Sequence, residues 1–209
     1  AIAELRTAMS IRPDDPSQKF LLGRAYLAAR RVDEAMAMFD LAIEMRPGPT
    51  ALNNAAYELA LANVRLDRAE SYARAAIEAV MSQLRRVSAD SAGFQQFAAT
   101  SSLAAYWDTL AWILFQRGDI EQAERYARAA WQLAQRRVIG EHLAAILDRQ
   151  GQAVEARRIY SLAADGRAVP AAGIGHAPDP EAPAGRGAQQ AARLGLLALR
   201  TVRVSRGPA

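Results

Sequence analysis

QKFLLGRAYLAARRVDEAMAMFDLAIEMRP, residues 18–47, reads as two helices joined by a tight turn. The first helix is expected over 19–29, the connection over 30–32 and the second helix over 33–45. Pro47 stops the second helix, because proline has no N–H to donate and its ring clashes with the preceding turn. Small and large residues alternate at offsets that suit an antiparallel pair: Leu22, Gly23, Tyr26, Ala35, Phe39 and Ala42. Gly23 and Ala35 let the two backbones approach. Tyr26 and Phe39 fill the space beside them, and Ala42 faces the helix that follows.

The unit recurs. Counted forward by one fixed step, Ala1, Leu5, Ala8, Ile11, Arg12 and Pro13 fall on Ala35, Phe39, Ala42, Met45, Arg46 and Pro47. Residues 1–13 therefore read as the second helix of a repeat whose first helix is missing, and the chain is expected to be a fragment. Asp14, Asp15 and Ser17 supply acceptors for the free N–H groups at the next helix start. A further repeat is expected over 50–83, with Asn53, Asn54, Ala56, Tyr57 and Leu59 on its first helix and Asp67, Ala69, Ala73 and Ala76 on its second. Its turn, at Asn63, Val64 and Arg65, reads as one residue longer than the others.

The period then breaks. The step from Ala69 to the equivalent Ala123 is far longer than the step from Ala35 to Ala69, which assigns 84–102 to an insertion. Its first residues prolong a helix; 88–102, polar and Ser/Thr-rich, reads as a loop, though Phe94 and Phe97 within it suit more than a passive connection. Residues 103–135 and 136–165 form two more repeats, with Trp107, Leu110, Ala111, Leu114, Gly118 and Ala123 at the expected offsets of the former. Gly118 ends a helix where a left-handed residue is needed. Residues 166–187, rich in Gly, Pro and Ala, read as a linker, and 188–209 as a short helix and strand remnant.

This spacing resembles the tetratricopeptide repeat, and the chain is identified as a member of that family. The resemblance implies an all-α, right-handed superhelical solenoid with a Gly/Pro/Ala-rich C-terminal tail, in which each repeat touches its neighbours and the first helix of each pair lines the concave surface.

Composition agrees. Apolar residues make up 51% of the 209, much of it alanine, and aromatics only 7%, so the core is thin and spread along a stack. The net charge of +4 invites a nucleic-acid reading, but Lys19 is the only lysine and the arginines are dispersed among acids, so a nucleic-acid partner is disfavoured. With no cysteine there are no disulfides and no thiolate chemistry. No apolar run reaches membrane-spanning length.

No catalytic constellation is visible, and no cofactor or metal site is expected. His142, beside Glu141 on a helix, reads as a surface histidine; His176 falls in the linker. Gly173 and Gly175 are not placed between a strand and a helix, as a phosphate loop requires. The candidate site is the groove: Arg24, Asn53, Asn54, Tyr57, Asp108, Trp112 and Glu141, with Leu27 and Asp148 as further members. Asparagine can bond an extended peptide backbone, and aromatics give contact area at low entropic cost. Tyr57 and Trp112 have a second reading, as packing between neighbouring helices. Co-chaperones of the family grip a C-terminal carboxylate through lysine and other polar groups; Phe20, Arg24, Ala105 and Thr109 at the matching sites leave that activity out.

The run Ala104-Ala105-Tyr106-Trp107-Asp108-Thr109-Leu110-Ala111-Trp112, with Gly118-Asp119, Ala129-Ala130-Trp131 and Gly140-Glu141-His142-Leu143, also resembles the repeat arrays of large bacterial proteins with a transglutaminase-like region. That resemblance implies a bacterial parent, leaning to the periplasm or secretion, and transfers no catalytic residue. The leading expectation is a non-enzymatic scaffold that binds a peptide or protein segment. The alternatives are an accessory module of a larger transglutaminase- or protease-like enzyme and, more weakly, an RNA-binding solenoid.

Overall fold

The computed structural model describes residues 2–85 and 94–164, with the side chains of 94–98 left aside. All regular structure among them is helical: α1 (Ile2–Ile11), α2 (Pro16–Ala28), α3 (Val32–Met45), α4 (Pro49–Ala62), α5 (Leu66–Leu84), α6 (Phe94–Arg117), α7 (Ile120–Leu133), α8 (Arg137–Arg149) and α9 (Ala153–Ala164). α2/α3, α4/α5, α6/α7 and α8/α9 are antiparallel pairs, and α1 packs on α2 as the second helix of a preceding pair would. The linker, the remnant beyond it and His176 lie outside the described residues.

All four first helices end in one way. Arg30, Asn63, Gly118 and Gly151 take positive φ (60°, 52°, 87° and 81°). In each case the next N–H donates back to a carbonyl one full turn and more behind it: Arg31 to Tyr26, Val64 to Leu59, Asp119 to Leu114 and Gln152 to Leu147, at 2.9–3.1 Å. This is the Schellman closure, which satisfies helix-end carbonyls through one left-handed residue. The longer turn at Asn63 is present: α5 starts at Leu66, and the extra residue, Arg65, also takes a positive φ of 48°.

Small residues set the helix spacing. Ala35, Ala42, Ala56, Ala69, Ala73, Ala111, Ala123 and Ala127 are fully buried, together with Phe39, Leu59 and Leu110. A Cβ on Gly23 would stand 2.6 Å from the Phe39 ring, so the close approach of α2 to α3 requires glycine there. Gly140 has the same role on α8, where a Cβ would stand 2.6 Å from Ala163 and 2.8 Å from Trp131. Trp131 is buried in this contact, whereas Leu133 stays exposed.

The expected loop over 88–102 is corrected from residue 94 onward, and its residues 88–93 lie outside the described ones. Residues 94–102 are helical and form the start of the 24-residue α6. The reason is tertiary. α5 runs on to Leu84, and its last turns offer Ala76 and Val80 to Leu103 and Tyr106, with Leu84 and Ala99 at the edge of the same cluster. The Tyr106 hydroxyl also meets Thr50 at 3.1 Å. A Ser/Thr-rich segment with such a partner becomes helix despite its composition.

Successive first helices (α2, α4, α6, α8) pack against one another, while successive second helices make no comparable backbone approach. Long arginines bridge the second helices instead: Arg65 to Asp33 at 2.5 Å and Arg128 to Glu155 at 2.6 Å. The first helices thus form the inner wall of the stack.

Candidate functional site

The shared helix ending gives the first helices a common register. Counting back from the left-handed residue, Phe20, Asn53, Asp108 and Glu141 are equivalent, and so are Arg24, Tyr57, Trp112 and Ala145. The two series lie about one helical turn apart, hence on one face of each helix. Six of the seven sequence-nominated residues fall on these two rails. The seventh, Asn54, is the next residue after Asn53.

The structure separates their roles. Arg24 is exposed and its Nε sits 3.1 Å from Glu58 on the next first helix. Burial raises the Glu58 carboxyl above its usual range, and Arg24 only partly opposes this. Tyr57 is half-buried; its phenol is pushed up to about 12 by burial, then by the carboxylates of Asp108 and Glu58. Asn53 is 7% exposed and its Oδ1 has no hydrogen-bond partner. Asn54 is half-buried beside it. Of the further members, Leu27 is buried in the core and Asp148 is exposed at the end of α8.

Asp108 is 5% exposed. Its two carboxylate oxygens lie 2.9 and 3.0 Å from Nδ1 of His142, whose N–H donates to them. The imidazole stacks on Trp112 at a centroid distance of 4.3 Å, and Trp112 stacks on Phe115 at 5.1 Å. His142 is therefore not the surface histidine that its sequence setting suggests. It is largely buried between α6 and α8, because Asp108 stands one turn before Trp112 and both face it. Trp112 packs between neighbouring helices through this stack and still keeps part of its surface in the wall. Glu141 is half-buried and held by Arg137 at 2.8 Å, one turn back on its own helix.

Sequence reasoning missed Glu58 and His142. A signal existed: Glu58 directly follows Tyr57, the equivalent of Arg24, and His142 directly follows Glu141, the equivalent of Asp108. Each pair thus joins one rail to the position beside that rail on the next first helix.

Among the described residues, no group of three or more His, Asp or Glu side chains is placed to hold a metal ion, and no helix is long and apolar enough to cross a membrane. A further cleft lies on the second-helix side, about 330 Å³ and lined by Asp33, Met36, Asp40, Arg65 and Arg68. Its charges are paired, Arg65 with Asp33 and Arg68 with Asp40 at 3.4 Å, while Tyr72 donates to Asp40.

Residues 1–63 match the model of a tetratricopeptide repeat family. Curated proteins yield no match to the chain. Among the solved structures, one reported under the functional characterization of PilF from Pseudomonas aeruginosa is similar: 16% identity, a TM-score of 0.56, covering 97% of this chain and 82% of that one. At that identity the likeness concerns the fold. The shared helix endings, the glycine-mediated pairing, the inner wall of first helices and the family match agree: the described chain folds as an array of tetratricopeptide-type helix pairs, and residues 1–63 match the family itself.

Proposed function

We propose that the chain is a non-enzymatic protein-interaction scaffold that holds a peptide or extended protein segment along the wall of its first helices. The observation that carries this reading is the double rail on α4, α6 and α8, where half-buried Tyr57 and Trp112 alternate with Asn53, Asp108 and Glu141. Flat, partly exposed aromatics beside polar groups suit an extended backbone, because they bury area with few rotors to freeze. Asn54 adds an amide that both donates and accepts.

The arginines support a protein partner over a nucleic acid. Arg24, Arg65, Arg68, Arg74, Arg117 and Arg128 all face carboxylates. Lys19 is buried and donates to the Pro13 carbonyl. A phosphate backbone needs cations that are free to replace its counterions.

The test is site-specific photocrosslinking. A photoreactive residue at position 54 should give a discrete adduct with one partner segment, and the same residue at Arg157 on α9 should give none. Equal adducts from both positions, or none from position 54, would reject the groove.

A further inference from the structure

Two first helices each carry a buried acceptor that lacks a donor. Among the described residues, the buried side-chain atoms without a hydrogen-bond partner are Gln18 Oε1 and Asn53 Oδ1. Both are acceptors, and they lie on α2 and α4. A buried acceptor left unpaired costs about 1–3 kcal/mol, so such an atom marks a place where a donor is wanted. Asn53 stands one turn before Tyr57, on the same face of α4.

The charges around Tyr57 point the same way. The carboxylates of Glu58 and Asp108 both act on its phenol. Each is faced by one basic side chain. Glu58 has Arg24, whose side chain is 56% exposed and whose Nε lies 3.1 Å from it. Asp108 has one imidazole N–H shared between two oxygens. An aromatic ring within reach of two carboxylates, with an unpaired carbonyl oxygen one turn before it on the same helix face, matches a flat, donor-rich cation. Guanidinium offers five N–H donors in one plane and stacks on aromatic faces.

We propose that the Asn53–Tyr57–Glu58–Asp108 region of the wall is a pocket for an arginine side chain of the bound segment. The proposal rests on the groove reading above and names its specificity. The occupant is a basic peptide, the reverse of an acidic tail.

The experiment is selection from a random peptide library displayed on phage, against the full chain. Selected peptides should be enriched in arginine at one fixed position. Replacing that arginine by citrulline, which keeps the shape and loses the charge, should weaken binding by about tenfold or more. Glu58→Gln should remove most of that preference; so should Asp108→Asn, provided circular dichroism shows it folded. Enrichment in Asp or Glu, or citrulline binding as well as arginine, overturns the proposal. If such peptides still lose affinity with Tyr57→Ala, the groove survives and only the arginine pocket falls. If no peptide is selected, or Tyr57→Ala leaves every selected peptide unaffected, both fall.

Discussion

Arg24–Glu58 and Asp108–His142 are the same contact made twice. Each joins a first helix to the first helix of the next repeat, and each places a carboxylate against a basic side chain. Their surroundings differ. The Arg24 end of the first pair is open to water, so its attraction is screened and worth at most about 1 kcal/mol. Both members of the second are nearly buried, and a ring stack covers the imidazole. The difference shows how one repeat geometry can carry an adaptable edge at one end and a fixed joint at the other. The joint orients Trp112, and the edge keeps the Arg24 side chain in water.

Four variants bear on this contrast. The largest effect is expected for Trp112→Ala, which removes the stack on His142 and on Phe115; a loss of about 3 kcal/mol in denaturant unfolding is predicted. A change as small as that of a surface variant would mean that the joint is not fixed. Gly23→Ala should come next. Phe39 is fully buried and cannot swing away from the new methyl, so overpacking should outweigh the better helix propensity and cost about 2 kcal/mol. An unchanged melting temperature would show that α2 and α3 are less tightly pressed than their contact requires.

Asp108→Asn keeps the shape and removes the charge facing His142. A cost of about 1–2 kcal/mol is predicted, read by urea denaturation at neutral pH. A stabilised variant would place this pair with the open one.

Glu58→Gln is expected to have the smallest effect, and its sign is the point. Burial raises the Glu58 carboxyl in the folded chain, so between its unfolded and folded values the folded state holds more protons. Stability therefore falls as pH rises from about 4.5 through the raised value. Glutamine lacks that penalty. At pH 7 the variant should be more stable by less than about 1 kcal/mol, with the gap closing toward pH 4. A variant less stable at pH 7 would show that Arg24 compensates Glu58 fully.

Much of the fold was legible in the sequence. Period, helix pairing and the role of Gly23 follow from spacing, because a small residue at a helix crossing and a large one beside it leave a local pattern. Six of the seven nominated wall residues fall on the two rails for the same reason: first-helix faces repeat with the period. The start of α6 was not legible. Residues 94–102 are loop-like in composition, and only the extra turns of α5 give them a partner.

His142 marks the boundary most clearly. Its neighbours in sequence, Glu141 and Leu143, describe an ordinary amphipathic helix with a polar edge. The sequence by itself determined the repeat, its helix endings and which faces point inward, since these depend on residues within one period. Only the tertiary structure decided that Asp108 and His142 meet, that Asn53 is buried without a partner for its oxygen, and that Glu58 rather than a nominated residue pairs with Arg24. Those outcomes depend on the rotation between one helix pair and the next. That rotation is the sum of many packing contacts, and no single residue carries it.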